Sequence, residues 1–356
     1  MMRPDGPAAR PSGPRKMMMP ERLEDVAFPA RDRPMARVMA DLSEPGTGRP
    51  ADNLVTNEDS FARVAADLDR LVPPGGAYLG VGPDQNLTYI ARSRPRLAFI
   101  LDFRRRNALV HLVHKAILMI EPDRPGYLAR LLARDPGPLP DRPSADDLAA
   151  AFARPPVDRA RLDAAIAAVA ATLAPLGLLA DADRPDLATI QSRIAGPGLG
   201  ARFLALPMYP TLGRLIRSRD RHGRPAHFLA RDEWYQALRA AHLGDRIVPL
   251  IGDFAGTVAL PNLAAWLRRR NLPVSLLYLS DVEFFLLRSG RFPAFIANLA
   301  RLPWLEGAHL IRASTREIPH PERLPGDSST TILRPVAPFL EAALAGKIRT
   351  LDDLFA

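Results

Sequence analysis

An α/β fold with a Rossmann-like, mostly parallel sheet is predicted by three observations. Short apolar runs bounded by turn signals alternate with stretches of helical periodicity, as strands buried on both faces alternate with their covering helices. Residues 76–107, GAYLGVGPDQNLTYIARSRPRLAFILDFRRRN, order a strand, a glycine turn, a helix, a second strand and a terminal acid. That order builds the first half of a nucleotide-binding unit, with polar ligand groups at the turn and a ribose at the acid. Two further strand-then-acid junctions follow, at Asp253 and at Asp281.

Residues 1–50 hold nine prolines, 9 basic and 7 acidic residues, and little apolar periodicity, so a disordered tail is expected there. A single domain over 51–356 is expected to follow. Asn57, Glu58, Asp59 and Ser60 form a helix-start cluster, and Phe61, Val64, Leu68 and Leu71 space as one apolar face. Pro73, Pro74, Gly75 and Gly76 end that helix and turn the chain into the sheet.

Strands are predicted at 77–81 and 97–101, with a helix over 84–94 between them. Over 104–120, Leu109, Leu112, Val113, Ala116, Ile117 and Ile120 recur at helical spacing. Residues 123–244 read as a helical insertion without strands, its clearest amphipathic helix carrying Leu162, Ile166, Val169 and Leu173. The α/β pattern resumes with a strand over 246–251 and a helix marked by Leu260, Leu263, Ala264 and Leu267. Another strand covers 273–279. Residues 309–312 and 328–333 are candidate fifth and sixth strands, the last with an antiparallel direction open, before a helix over 335–345. Right-handed crossovers then make most of the sheet parallel.

The chain of 356 residues is 47% apolar, which suits a soluble globular protein able to bury a full core. It shows no apolar run long enough for a membrane span and no signal-peptide core near Met1. With no cysteine, disulfides, zinc-thiolate sites and cysteine nucleophiles are excluded, and a cytoplasmic location is the default expectation. The net charge is +9, yet only Lys16, Lys115 and Lys347 among the 48 basic residues are lysines. Those charges are scattered rather than gathered beside aromatic residues, so a small-molecule ligand is expected and nucleic acid is not. Protein partners are left open.

Gly80 and Gly82 sit where a strand hands over to a helix, so the backbone can approach a ligand and the first N–H groups can meet an anion. Asp84, Gln85 and Asn86 follow, either as caps or as ligand contacts. Asp102 lies twenty residues after Gly82, where a carboxylate accepts both ribose hydroxyls. Gln85 stands at the third glycine position of the dinucleotide fingerprint. Arg104, Arg105 and Asn107 come next, at the carboxyl end of the sheet.

Asn107, His111 and Lys115 fall at i, i+4 and i+8 and read as a solvated helix face. His111 and His114 lack a third ligand nearby, so no metal is expected. Asp281 and Glu283 are candidates for a general base, with helix-start acids as the alternative. Ser328, Ser329, Thr330 and Thr331 with Arg334 suit either an anion or an ordinary strand. Gly196 reads as a helix C-cap rather than part of a phosphate loop. Walker, nucleophile-elbow and zincin motifs do not occur in the sequence.

The runs GVGPDQNLTYI, RPRLAFILDFRRRN, VPLIGDFAG, VSLLYLSDVEFFL and DSSTTILRPV resemble a family of uncharacterised bacterial proteins, over about residues 53–356. That family is similar in its core to class I S-adenosylmethionine-dependent methyltransferases. The resemblance implies S-adenosylmethionine as cofactor, with Gly80 and Gly82 at the methionine moiety, Asp102 at the ribose and Asp253 near adenine. It implies methyl transfer to an unknown acceptor, helped by Asp281 or Glu283. Tyr78 stands where the methyltransferase loop carries an acid, Asp84 where it carries a third glycine, and the Asn-Pro-Pro-Tyr motif is absent. The alternative is a non-catalytic nucleotide- or metabolite-binding protein on the same core. A nicotinamide oxidoreductase ranks third.

Overall fold

The computed structural model describes residues 34–46, 53–315 and 318–356. Its six strands are β1 (Ala77–Gly80), β2 (Leu97–Asp102), β3 (Ile247–Ile251), β4 (Val274–Tyr278), β5 (Trp304–Ser314) and β6 (Thr330–Pro335). They form one sheet in the order β3-β2-β1-β4-β5-β6. β1 to β5 are parallel and β6 runs antiparallel to β5. β1 to β4 are buried along their whole length, which is why they read as unbroken apolar runs. The expected α/β class and mostly parallel sheet are thereby met.

The helices are α1 (Pro34–Leu42), α2 (Ala65–Leu71), α3 (Gln85–Ser93), α4 (Arg105–Ile120), α5 (Arg124–Leu132), α6 (Ala145–Ala153), α7 (Arg159–Leu173) and α8 (Arg184–Ala195). There follow α9 (Leu212–Ile216), α10 (Asp232–Leu243), α11 (Ala259–Arg269), α12 (Val282–Arg288), α13 (Phe292–Leu299), α14 (Val336–Leu344) and α15 (Leu351–Phe355). α5 to α10 make up the insertion between β2 and β3, and its described residues hold no strand beyond one isolated bridge, Arg219 with Pro225. Of the expected face on the first helices, Phe61, Val64 and Leu68 are buried, whereas Leu71 is exposed.

Two expectations need correction. The tail was expected to be disordered to residue 50, but α1 buries Met35, Val38 and Leu42 against β3 and α11. Three apolar side chains spaced i, i+3 and i+7 suffice for one short docked face despite the surrounding prolines. Residues 1–33 and 47–50 of the expected tail lie outside the described residues. The expected solvated face of α4 is also wrong, because Asn107, His111 and Lys115 are all buried. α4 lies on β2 and β3 with one side, and α7, α8 and α10 cover the other. A charged residue on a helix enclosed on both sides needs internal partners. Lys115 Nζ accordingly donates to His242 O at 2.7 Å and to Asp245 Oδ1 at 2.5 Å.

Among the described residues, no helix is long and apolar enough to cross a membrane.

Candidate functional site

The glycine turn is present, and it is filled from within. A Cβ on Gly80 would lie 2.0 Å from Asn86 Oδ1 and 2.6 Å from the Tyr78 hydroxyl. The glycine is required, but its cradle holds this chain's own side chains. Asn86 Nδ2 donates to the carbonyls of Val81 at 2.8 Å, Gly82 at 3.2 Å and Pro83 at 2.8 Å. Its Oδ1 accepts from the Tyr78 hydroxyl at 2.6 Å. Asn86 is thus the clamp of the turn, not a helix cap or a ligand contact. Gly82 takes a φ of +78°, and its carbonyl lies 2.8 Å from His111 Nε2. Burial holds that imidazole down at about 4, so it is neutral and its Nε2–H donates.

Asp84 Oδ1 accepts the backbone N–H of Thr56 at 2.8 Å, and burial pushes its carboxyl up to about 6. Gln85 Nε2 donates to the Tyr278 hydroxyl at 2.6 Å. Residues 80–86 are buried throughout, so the turn does not border an open cleft.

Asp102 sits at the tip of β2 as expected, but as half of an ion pair. Arg104 Nε and Nη2 reach its two oxygens at 2.8 and 2.7 Å, and the Arg104 N–H adds a third bond at 3.0 Å. Its side chain is 1% exposed. In this conformation the carboxylate is directed at Arg104 and not at an open ribose site. The carrier of that pairing is local: Arg104, two residues on, turns back over the strand end.

Glu283 is buried and ion-paired with Arg312, whose Nη2 lies 2.9 Å from Glu283 Oε1 and whose Nη1 donates to Leu354 O at 2.7 Å. It joins α12 to β5 and α15, which corrects the expectation that it acts as a base. Asp281, by contrast, is half-buried at the end of β4. Burial raises its carboxyl above the usual range, while nearby Arg104 pulls it back down. Ser280, just before it, holds a left-handed φ of 52°, which a residue without glycine's freedom adopts at a cost.

The hydroxyl run at 328–331 does receive an anion, but an internal one. Asp59 accepts the N–H and hydroxyl of both Ser328 and Ser329, at 2.8 to 3.0 Å. Arg334 is engaged with Glu322 at 2.6 Å.

Sequence reasoning missed Glu58. Its Oε1 accepts from the Tyr278 hydroxyl at 2.7 Å and from Ser280 Oγ at 2.5 Å. Burial pushes the carboxyl up to about 7. Its Oε2 lacks a hydrogen-bond partner among the described residues, as do Gln85 Oε1, Asn53 Oδ1 and both side-chain polar atoms of Asn107. Through Tyr278 at the end of β4, which also receives Gln85 of α3, the segment carrying Glu58 lies at the point where the strand order reverses between β1 and β4, the place where open α/β sheets bind ligands. The signal lies in residues 57–60, four successive polar residues between apolar stretches, a pattern that also fits a helix start.

Open space appears one strand over. Beyond the carboxyl ends of β2 and β3 lies a cavity of about 600 Å³, walled by Phe103, Val258, Pro45, Glu44, Asp253 and Arg291. Register sets Asp102 beside Ile251, so Phe103 and Asp253 emerge at the same edge. Phe103 and Val258 are 43% and 41% exposed, an apolar pair at the mouth. Arg291 donates to Asp253 Oδ2 at 2.6 Å, and Glu44 Oε1 receives the Asp253 N–H at 2.5 Å. Gly80, Gly82 and Asp84 do not line it. Among the described residues, no group of three or more metal-ligating side chains occurs.

Sheet order and strand direction define an α/β protein with a Rossmann-like, mostly parallel sheet. The chain belongs to the family described as Domain of unknown function (DUF7790), which matches residues 53–135 and 206–341. All six strands, Glu58, the glycine turn, Asp102, Asp253 and Asp281 fall within the match, whereas α1, α6, α7 and α8 fall outside it. No curated protein matches the chain.

Proposed function

We propose that this protein binds a nucleoside-type metabolite at the carboxyl edge of β2 and β3, as a binding module on a methyltransferase-like core. The observation that carries this reading is the cavity between Phe103, Val258 and Asp253. Two exposed apolar side chains give a flat base its faces, and Asp253 and Glu44 supply acceptors for an exocyclic amine. The volume of about 600 Å³ lies within the range of small-molecule sites.

S-adenosylmethionine is the first ligand to test, because the resemblance brings Asp253 to adenine. The fit is divided. The base end has a place, whereas Tyr78 and Asn86 occupy the cradle needed by the methionine end, and Arg104 engages Asp102. The finer reading, methyl transfer with Asp281 as base, requires those side chains to withdraw, and no transfer step is derived from this conformation.

A thermal-shift panel of adenosine, S-adenosylmethionine, its demethylated product, NAD and ATP tests the proposal. Adenosine-bearing ligands should raise the melting temperature at millimolar concentration. A panel with no shift, followed by no heat in calorimetry, would overturn it.

A further inference from the structure

A second cavity, of about 200 Å³, is bordered by Asp59, the residue after Glu58. Four of its seven lining residues are arginines: Arg63, Arg214, Arg217 and Arg219. Arginine makes up about one residue in eight of this chain (48 basic residues less three lysines), so seven lining residues would ordinarily include one. Four guanidinium groups around one small space repel each other unless negative charge compensates them.

The compensation present is incomplete. Arg63 spends its fork on Asp327, at 3.0 and 2.7 Å. Arg214 reaches Asp59 at 2.9 Å, but that carboxylate is already held by Ser328 and Ser329. Arg219 donates through Nη1 to Gly223 O at 3.0 Å and has a contact of 3.4 Å with Asp146, both side chains about half exposed. Arg217 donates through Nε to Gly213 O at 3.1 Å and has no carboxylate partner among the described residues. Among the described residues, the nitrogens left without a partner are therefore Nη1 and Nη2 of Arg217, Nε and Nη1 of Arg214, and Nε of Arg219.

We infer that this cavity binds a small tetrahedral oxyanion, inorganic phosphate or the phosphate of a phosphomonoester. Guanidinium forks match the oxygen edges of a phosphate in pairs, and the volume suits one such group rather than a chain of them. The site is separate from the nucleoside cavity and shares no lining residue with it. It does not depend on the reading proposed for that cavity.

Calorimetry with inorganic phosphate at constant ionic strength tests the inference on the full chain. Binding should be measurable below about 10 mM and should weaken at least tenfold in Arg217→Ala/Arg219→Ala, two exposed positions whose loss should leave the fold intact. Arg217→Lys should weaken it less than Arg217→Ala, and Arg268→Ala, remote from the cavity, should leave it unchanged. A parallel titration with glycerol phosphate separates the sources: tighter binding than inorganic phosphate points to an esterified ligand, equal or weaker binding to the free ion. No heat with either anion, or equal binding by wild type and the double variant while circular dichroism shows both folded, would overturn the inference.

Discussion

The Tyr278 hydroxyl donates to Glu58 Oε1 at 2.7 Å, joining the end of β4 to a segment 220 residues earlier in the chain. With Gln85 Nε2 donating to the same hydroxyl at 2.6 Å, the bond ties together the first turn of α3, the switch point of the sheet and the stretch that covers it. Three elements thus meet at one buried carboxyl, Glu58.

Burial raises the Glu58 carboxyl from 4.5 to about 7 in the folded protein. Below pH 4.5 both folded and unfolded chains hold the proton, and its effect on stability vanishes. As pH rises from 4.5 to 7 the unfolded chain ionises first, so folding loses about 3 kcal/mol at about 1.4 kcal/mol per pH unit. Glu58→Gln should abolish this component. The difference in unfolding free energy between variant and wild type should grow in the variant's favour between pH 5 and 8, as read by urea denaturation. A constant difference across that range would show that Glu58 is not desolvated.

Gly80→Ala should destabilise the protein by about 1–3 kcal/mol, because its methyl must displace Asn86 Oδ1 or the Tyr78 ring. Tyr78→Phe removes the hydroxyl that meets this methyl, so the double variant should recover part of the loss in thermal denaturation. Equal melting temperatures for wild type and Gly80→Ala would mean that the cradle is open.

A chain starting at residue 51 should melt several degrees below one starting at residue 34. Helix α1 buries Met35, Val38 and Leu42, and Leu42→Ala alone should cost about 2–5 kcal/mol. The shorter chain also loses Glu44, which accepts the Asp253 N–H. Identical melting curves would show that α1 does not dock.

The strands were legible in the sequence because runs such as Leu97–Asp102 are buried on both faces and bounded by turns. The tips of β2, β3 and β4 were legible for the same reason, and they placed Asp102, Asp253 and Asp281 at one edge. What those acids meet was not legible. Arg104 folding back on Asp102 and Arg312 reaching Glu283 are contacts that spacing does not encode. Residues on α4 were misread because amphipathicity is judged against one covering layer, and here the insertion supplies a second. Glu58 was passed over because a polar cluster ahead of a helix satisfies the capping pattern, while its true partners lie on β4 and the turn that follows it.

Calorimetry with adenosine on wild type and on Phe103→Ala tests the central claim most directly. Phe103 is 43% exposed at the mouth of the edge cavity, so its removal should leave the fold intact. If it stacks on a base, the loss is about 1–3 kcal/mol, roughly a 5- to 150-fold weaker dissociation constant. Wild-type binding that weakens within this range in Phe103→Ala is the predicted result. Binding that is absent from the wild type, or unchanged in the variant, would contradict a nucleoside site between β2 and β3.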